Sequence, residues 1–188
     1  MPTHKKLGQI ANIQFGLHQS SQIKGEVKYL LVRHFDENLR PTLFEESHLN
    51  MDARVQKALL APGDLLFAGK GYRQFAWTYE ESFGPTVASS VFYIIRPDPT
   101  ILLPQYLTIL LNTEKMRHTF RLIGLGVATP SIPKAELKEI KIPILPLAEQ
   151  QRIVELAELH HQQIILTKRI LQKKKDIFKS LIQKTINT

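Results

Sequence analysis

Apolar residues in the last quarter of the chain recur at intervals of three, four and seven. Ala157, Ile164, Leu171 and Phe178 are spaced by seven, and Ile153, Leu156, His160, Thr167, Ile170, Lys174, Ile177 and Leu181 fill neighbouring positions of one broad face. A helix with such a stripe must bury it. Just upstream, Ile140-Lys141-Ile142-Pro143-Ile144-Leu145-Pro146 is a proline-bracketed, β-like run. Proline lacks an amide donor and restricts its predecessor, yet it suits a first helical position, so the helix is predicted to start at Pro146. No Gly or Pro interrupts the chain from there to about Ile186. About 40 residues at ~1.5 Å each make a rod of roughly 60 Å. A domain of this size spans only ~35 Å, so the pattern favours a short coiled coil over a rod folded back on its own domain. His160, Thr167 and Lys174 dilute the stripe and suggest register-setting polar contacts.

Residues 1–145 read as a mixed α/β domain of short elements. Val87 to Ile95 is β-branched and aromatic, bounded by Gly84-Pro85 and Pro97-Asp98-Pro99, and predicts a strand. Asp64 to Ala68 predicts a second strand, launched by Pro62-Gly63, and Gly69-Lys70-Gly71 then forces a loop before a third from Tyr72 to Tyr79. A helix is predicted from Pro104 through Leu111, and another from Thr113, whose hydroxyl can cap it, to a stop at Gly124. Phe75, Trp77 and Tyr79 are expected in the core.

Composition narrows the class. No apolar run approaches the ~18 residues of a spanning helix, and the segment from Met1 to Ile10 does not read as a secretory signal, so a soluble, cytoplasmic protein is expected. With no cysteine, disulfides and Cys-ligated zinc drop out. The net charge of +8 points to a polyanionic partner. It is shared between the parts: residues 1–146 carry 17 Lys+Arg against 13 Asp+Glu, and residues 147–188 carry 8 against 4. The rod's excess lies in Lys168, Arg169, Lys173, Lys174 and Lys175, which is also where a helix C-terminus favours cations.

Three stretches together resemble the DNA specificity subunits of type I restriction-modification systems. They are Lys6-Leu7-Gly8-Gln9-Ile10-Ala11-Asn12-Ile13-Gln14-Phe15-Gly16, Gly63-Asp64-Leu65-Leu66-Phe67-Ala68-Gly69-Lys70-Gly71 and, most specifically, Ile132 to Ile153 with Ile142-Pro143, Pro146-Leu147 and Glu149-Gln150-Gln151-Arg152-Ile153. The resemblance implies a target-recognition domain over 1–145 and a long coiled-coil-forming helix over 146–188 for dimerisation and methyltransferase docking. Members of the family usually carry two of each, so this chain looks like a half-subunit reading one half-site. The resemblance further implies double-stranded DNA and DNA-methyltransferase subunits as partners, with a translocating endonuclease subunit as a possible third. S-adenosylmethionine belongs to the methyltransferase, and this chain itself needs no cofactor. A structural adaptor with a basic rod is the rival reading.

The residues agree with binding rather than catalysis. There is no Asn/Asp-Pro-Pro-aromatic motif, and Gly124-Leu125-Gly126 reads as a turn rather than a cofactor loop. No phosphate-binding Gly-x-x-x-x-Gly-Lys-Ser/Thr motif exists, and the seven histidines lack ligand spacing, so no metal is expected. Lys70, Tyr72, Arg73 and Gln74 follow a strand through the double-glycine loop and are the first candidates for DNA contact. Arg can pair with guanine, Gln with adenine, and Lys with phosphate. The polar segment His18, Gln19, Ser20, Ser21, Gln22 and Lys24 is the second candidate, followed by Ser89-Ser90 and Thr129 to Lys134. Ile153, Leu156, Ala157, His160, Ile164, Thr167, Leu171, Lys174, Phe178 and Leu181 are the expected dimerisation positions.

Overall fold

The structure is a computed structural model that describes residues 3–42, 47–124 and 130–186. It divides into two compact units, Met1–Gln150 and Gln151–Thr188. Three small sheets build the first. β1 (Thr3–Lys6) pairs antiparallel with β9 (Lys141–Ile144). A four-stranded antiparallel sheet runs in the order β2 (Ala11–Phe15), β8 (Phe92–Pro97), β5 (Leu65–Ala68), β6 (Ala76–Thr78). In the third sheet β3 (Val27–Leu30) is central, antiparallel to β4 (His48–Leu49) and parallel to β7 (Thr86–Ala88). The short helices are α1 (Leu7–Ile10), α2 (Ala53–Lys57), α3 (Pro104–Leu111), α4 (Glu114–Ile123) and α5 (Lys134–Glu139), and α6 (Leu147–Ile186) is the long one.

β5 is buried on both faces, as its uninterrupted apolar run Leu65-Leu66-Phe67-Ala68 requires. Leu66 and Ala68 enter a core with Leu30, Phe35, Phe75, Phe92 and Ile94, while the Phe67 ring packs at a tilt against Phe120 of α4, with centroids 4.7 Å apart. Phe75 and Tyr79 are buried as expected, and Trp77 packs against the same core. Asp64 is 2% exposed, and its carboxylate accepts from the Ala61 amide and from Arg96 Nε and Nη2 at 2.7 and 3.0 Å. That neutralises a carboxylate otherwise too costly to bury. Thr113 caps α4 by accepting from the Met116 amide, and the helix stops at Gly124.

The predicted strand from Val87 to Ile95 is two strands in different sheets. β7 pairs with β3 and β8 with β2 and β5, and between them Phe92 N donates to Ser89 O at 2.9 Å to close a turn. One straight strand cannot serve two sheets, and Ser89-Ser90 makes the bend. A side chain at Gly16 would collide with the Ser89 and Ala88 carbonyls, so only glycine lets the end of β2 approach this corner.

The long helix begins one residue later than predicted. Pro146 stands just before it, its carbonyl accepting from Gln150 N at 3.0 Å. α6 has 40 residues. Gln150 is fully buried. Its Oε1 accepts from Leu103 N at 2.9 Å, and its Nε2 donates to the carbonyls of Ile101 and Leu145, both at 2.8 Å. The side chain ties the first turn of α6 to the approach to α3.

His34 is buried with its Nδ1 accepting from Leu31 N at 3.1 Å, and burial, followed by neighbouring Arg33, lowers its pKa below the usual 6.5. The unfolded chain therefore takes up this proton first as pH falls. Stability is full above about pH 6.5 and declines below it, down through the depressed folded value. Urea unfolding at pH 7.5 and 5.5 tests this, and His34→Gln should show the smaller difference between the two. An equal difference in both proteins assigns the acid sensitivity elsewhere.

Candidate nucleic-acid interface

Lys70 and Lys134, 64 positions apart, converge on one exposed ring. Their Nζ atoms lie 5.9 and 5.6 Å from the Phe15 centroid, and Phe15 is 52% exposed at the end of β2. Backbone pairing makes the meeting. Gly71 N donates to Pro130 O and Ile132 N to Gly69 O, both at 2.8 Å, which joins the loop after β5 to the segment before α5. Tyr93 Oη donates to Ile132 O at 2.7 Å, and burial raises the pKa of that phenol. The Tyr93 ring supports Phe15 at 4.9 Å and leaves no room for a side chain at Gly69. Two cations over an exposed aromatic face suit phosphate neutralisation beside a surface able to meet bases or sugars.

The His18–Lys24 segment leaves this platform directly. Leu17 bridges to Ser89, and Tyr29 Oη donates to Leu17 O while Gln19 N donates back to Tyr29 Oη. Ser20 and Lys24 are exposed, and Gln19 is half-buried. Ser90 Oγ lies 3.4 Å from His18 Nδ1, and Arg54 of α2 reaches His18 O at 3.5 Å. Ser89 corrects the sequence reading: it is 3% exposed, so its side chain does not face solvent, and its backbone holds the corner by donating to Leu30 O and accepting from Phe92 N.

The turn at Tyr72–Gln74 also differs from expectation. Arg73 Nη1 donates to Phe35 O at 2.7 Å and Nη2 to Asp36 O, and the guanidinium lies 5.2 Å from the Phe75 centroid. Gln74 Nε2 donates to Gly71 O at 2.5 Å. The donors expected to read guanine and adenine are thus bonded to the backbone carbonyls of Phe35, Asp36 and Gly71. Tyr72 is 82% exposed. Thr129 and Leu125-Gly126 lie outside the described residues.

Sequence reasoning missed Phe15 and Arg54. Alternation in β2 places Phe15 on the side of buried Ile13, so nothing local marks it as exposed.

On α6 the expected dimerisation residues form part of a double pattern. At ~100° per residue, Ile153, Ala157, Ile164, Leu171 and Phe178 ascend one side, whereas Leu159, Leu166, Ile170 and Ile177 ascend another rotated by roughly 130°. Ile170 and Ile177 therefore belong to a second stripe and not to the first, while Leu156 and Leu181 stand between the two. His160 falls within the first, and Thr167 and Lys174 lie on its edge towards the second. Ile153 and Ala157 are half-buried, and the other named apolar residues are open to solvent, from Ile164 at 38% to Leu156 at 68%.

Among the described residues no group of three or more His, Asp or Glu is placed to hold a metal ion, and no helix is long and apolar enough to cross a membrane.

No curated protein matches this chain. Three solved structures share its fold. The HsdS subunit from Thermoanaerobacter tengcongensis is 21% identical with a TM-score of 0.59, over 89% of this chain and 39% of that one. The type I restriction-modification S subunit from M. genitalium is 12% identical with a TM-score of 0.61, over 85% and 39%. A structure describing complex assembly and conformational transition of the type I R-M system is 19% identical with a TM-score of 0.59, over 95% and 43%. The chain thus spans about two fifths of the length of these proteins. Residues 4–175 match the type I restriction modification DNA specificity domain, covering both the sheets that present Phe15, Lys70 and Lys134 and most of the long helix, and the chain belongs to that family.

Proposed function

We propose that this chain is a non-catalytic, sequence-specific DNA recognition subunit of a cytoplasmic type I restriction-modification complex, reading one half-site per chain. The observation that carries the proposal is the convergence of Lys70 and Lys134 on exposed Phe15, beside the His18–Lys24 segment, in a member of the DNA specificity family. Lys70, Lys134 and Lys24 neutralise phosphates, Gln19, Ser20 and Tyr72 approach base edges, and Arg73, Gln74 and Ser89 hold the backbone that presents them. Residues 1–145 form the recognition domain and 146–188 the assembly helix. One stripe of α6 pairs with a second copy and the other docks a DNA-methyltransferase subunit, which binds S-adenosylmethionine. A translocating endonuclease subunit joins for restriction. Two copies related by a two-fold axis read an inverted repeat.

Duplex titrations test the reading. Lys70→Ala should weaken cognate and random duplex equally and lower the salt slope by about 0.9. Gln19→Ala should cost about 1–3 kcal/mol on cognate duplex alone. Wild-type protein that binds all duplexes alike, with its methyltransferase present, would overturn sequence reading by this chain.

A further inference from the structure

Beyond the Phe15 platform lies a cleft of about 400 Å³, lined by Glu37, Leu39, Tyr72, Arg73, Gln74, Phe75, Arg117 and Arg121. Three arginines face a single carboxylate there. Arg117 and Arg121 are four positions apart on α4, hence on one side of it, and Phe120 packed on Phe67 fixes which side of the helix is turned to the core. The three arginines have different commitments. Arg73 is bonded to the Phe35 and Asp36 carbonyls. Arg117 has one ion pair, from Nη1 to Glu114 at 3.2 Å, while its Nε is buried without an acceptor. Arg121 is exposed, and its side chain makes no hydrogen bond or ion pair among the described residues.

The opposite wall is rigid. Asp36 Oδ1 accepts from the amides of Asn38 and Arg40 at 2.9 and 2.8 Å, Asp36 N donates to Arg40 O, and Leu39 is held at a φ of 60° with its side chain against the core. Glu37 therefore stands on a fixed turn across from α4, and it makes none of the ion pairs found among the described residues.

We infer that this cleft grips a backbone phosphodiester of duplex DNA lying outside the bases that are read, with Arg121 and Arg117 as its cations and Glu37 as a built-in opposing charge. The Arg117 side chain is 41% exposed and its guanidinium can extend its single ion pair to an anion, and the planar guanidinium of Arg121 is suited to a phosphate. Lys70 stands two residues before Tyr72, so the cleft continues the surface assigned to DNA above. The inference rests on that assignment.

Titration of the full chain with random-sequence duplex across a salt series tests it. Arg121→Gln and Arg117→Gln should each lower the salt slope by about 0.9 and weaken cognate and random duplex by the same factor. Glu37→Gln should act in the opposite direction and tighten both. A purely structural role for the arginines would not produce that opposed pair. Thermal melting of each variant separates misfolding from lost contact, and Arg121, being exposed, is the decisive one. Unchanged slopes for Arg121→Gln and Glu37→Gln, with Lys70→Ala still lowering the slope, would overturn this inference and leave the DNA reading intact. Wild-type protein without duplex affinity would overturn both. Inorganic phosphate raising the melting temperature in an Arg121-dependent way, with no effect of Arg121→Gln on duplex, would make the cleft a small-anion site and overturn the duplex assignment.

Discussion

Gln150→Leu should destabilise the head by about 3 kcal/mol or more. Its amide satisfies the Leu103 amide and the Ile101 and Leu145 carbonyls, all at a fully buried position. Leucine is close in volume, so little cavity is left. The three backbone groups lose their partner, and each buried unsatisfied group costs about 1–3 kcal/mol. Gln150→Glu makes the same point electrostatically, since it sets a carboxylate oxygen against two carbonyls and must desolvate a charge. Urea unfolding monitored on the head would show both effects. A loss under about 1 kcal/mol for Gln150→Leu would mean that water or a relaxed backbone replaces the bonds. The glutamine of the Glu149-Gln150-Gln151 motif is therefore a structural bolt.

Ile164→Asp and Leu171→Asp should abolish self-association while leaving the head folded. Both residues lie on the first stripe of α6 and are open in the single chain, at 38% and 53% exposure. A buried seam would have to desolvate the new carboxylate, which costs several kcal/mol per ion without a partner, and a two-fold pair would carry two of them. Leu166→Asp, on the second stripe, should spare self-association and weaken methyltransferase docking. Sedimentation at tens of micromolar gives the readout. If the unmutated protein is monomeric alone and stays so with its methyltransferase bound, the first stripe is not a seam between copies.

Local patterns carried much of this fold. Proline at the start of α3, the hydroxyl of Thr113 and the glycine at 124 mark helix ends because capping is settled within a few residues. The absence of Gly and Pro after Pro146 was enough to announce a helix of 40 residues. The turn pair Pro62-Gly63 and the apolar run after it announced a strand, while its burial on both faces came from the elements packed around it. The seven-residue spacing identified one stripe of α6, but merging neighbouring positions hid the second, which appears only when each residue is set at its angle around the axis.

The sequence by itself therefore determined the buried strand after Pro62-Gly63, the helices at Pro104 and Thr113, the long helix and, through three separated motifs, the family. Only the tertiary structure decided the site. Phe15, Lys70 and Lys134 meet because Gly69 and Gly71 pair with Pro130 and Ile132, a contact between distant segments that no local preference encodes. The division of Val87–Ile95 into two strands depended on which sheets were available to pair with each half. Arg73 and Gln74 look like readers in a polar loop, but the fold brings the carbonyls of Phe35, Asp36 and Gly71 within their reach, and bonding to them satisfies backbone acceptors.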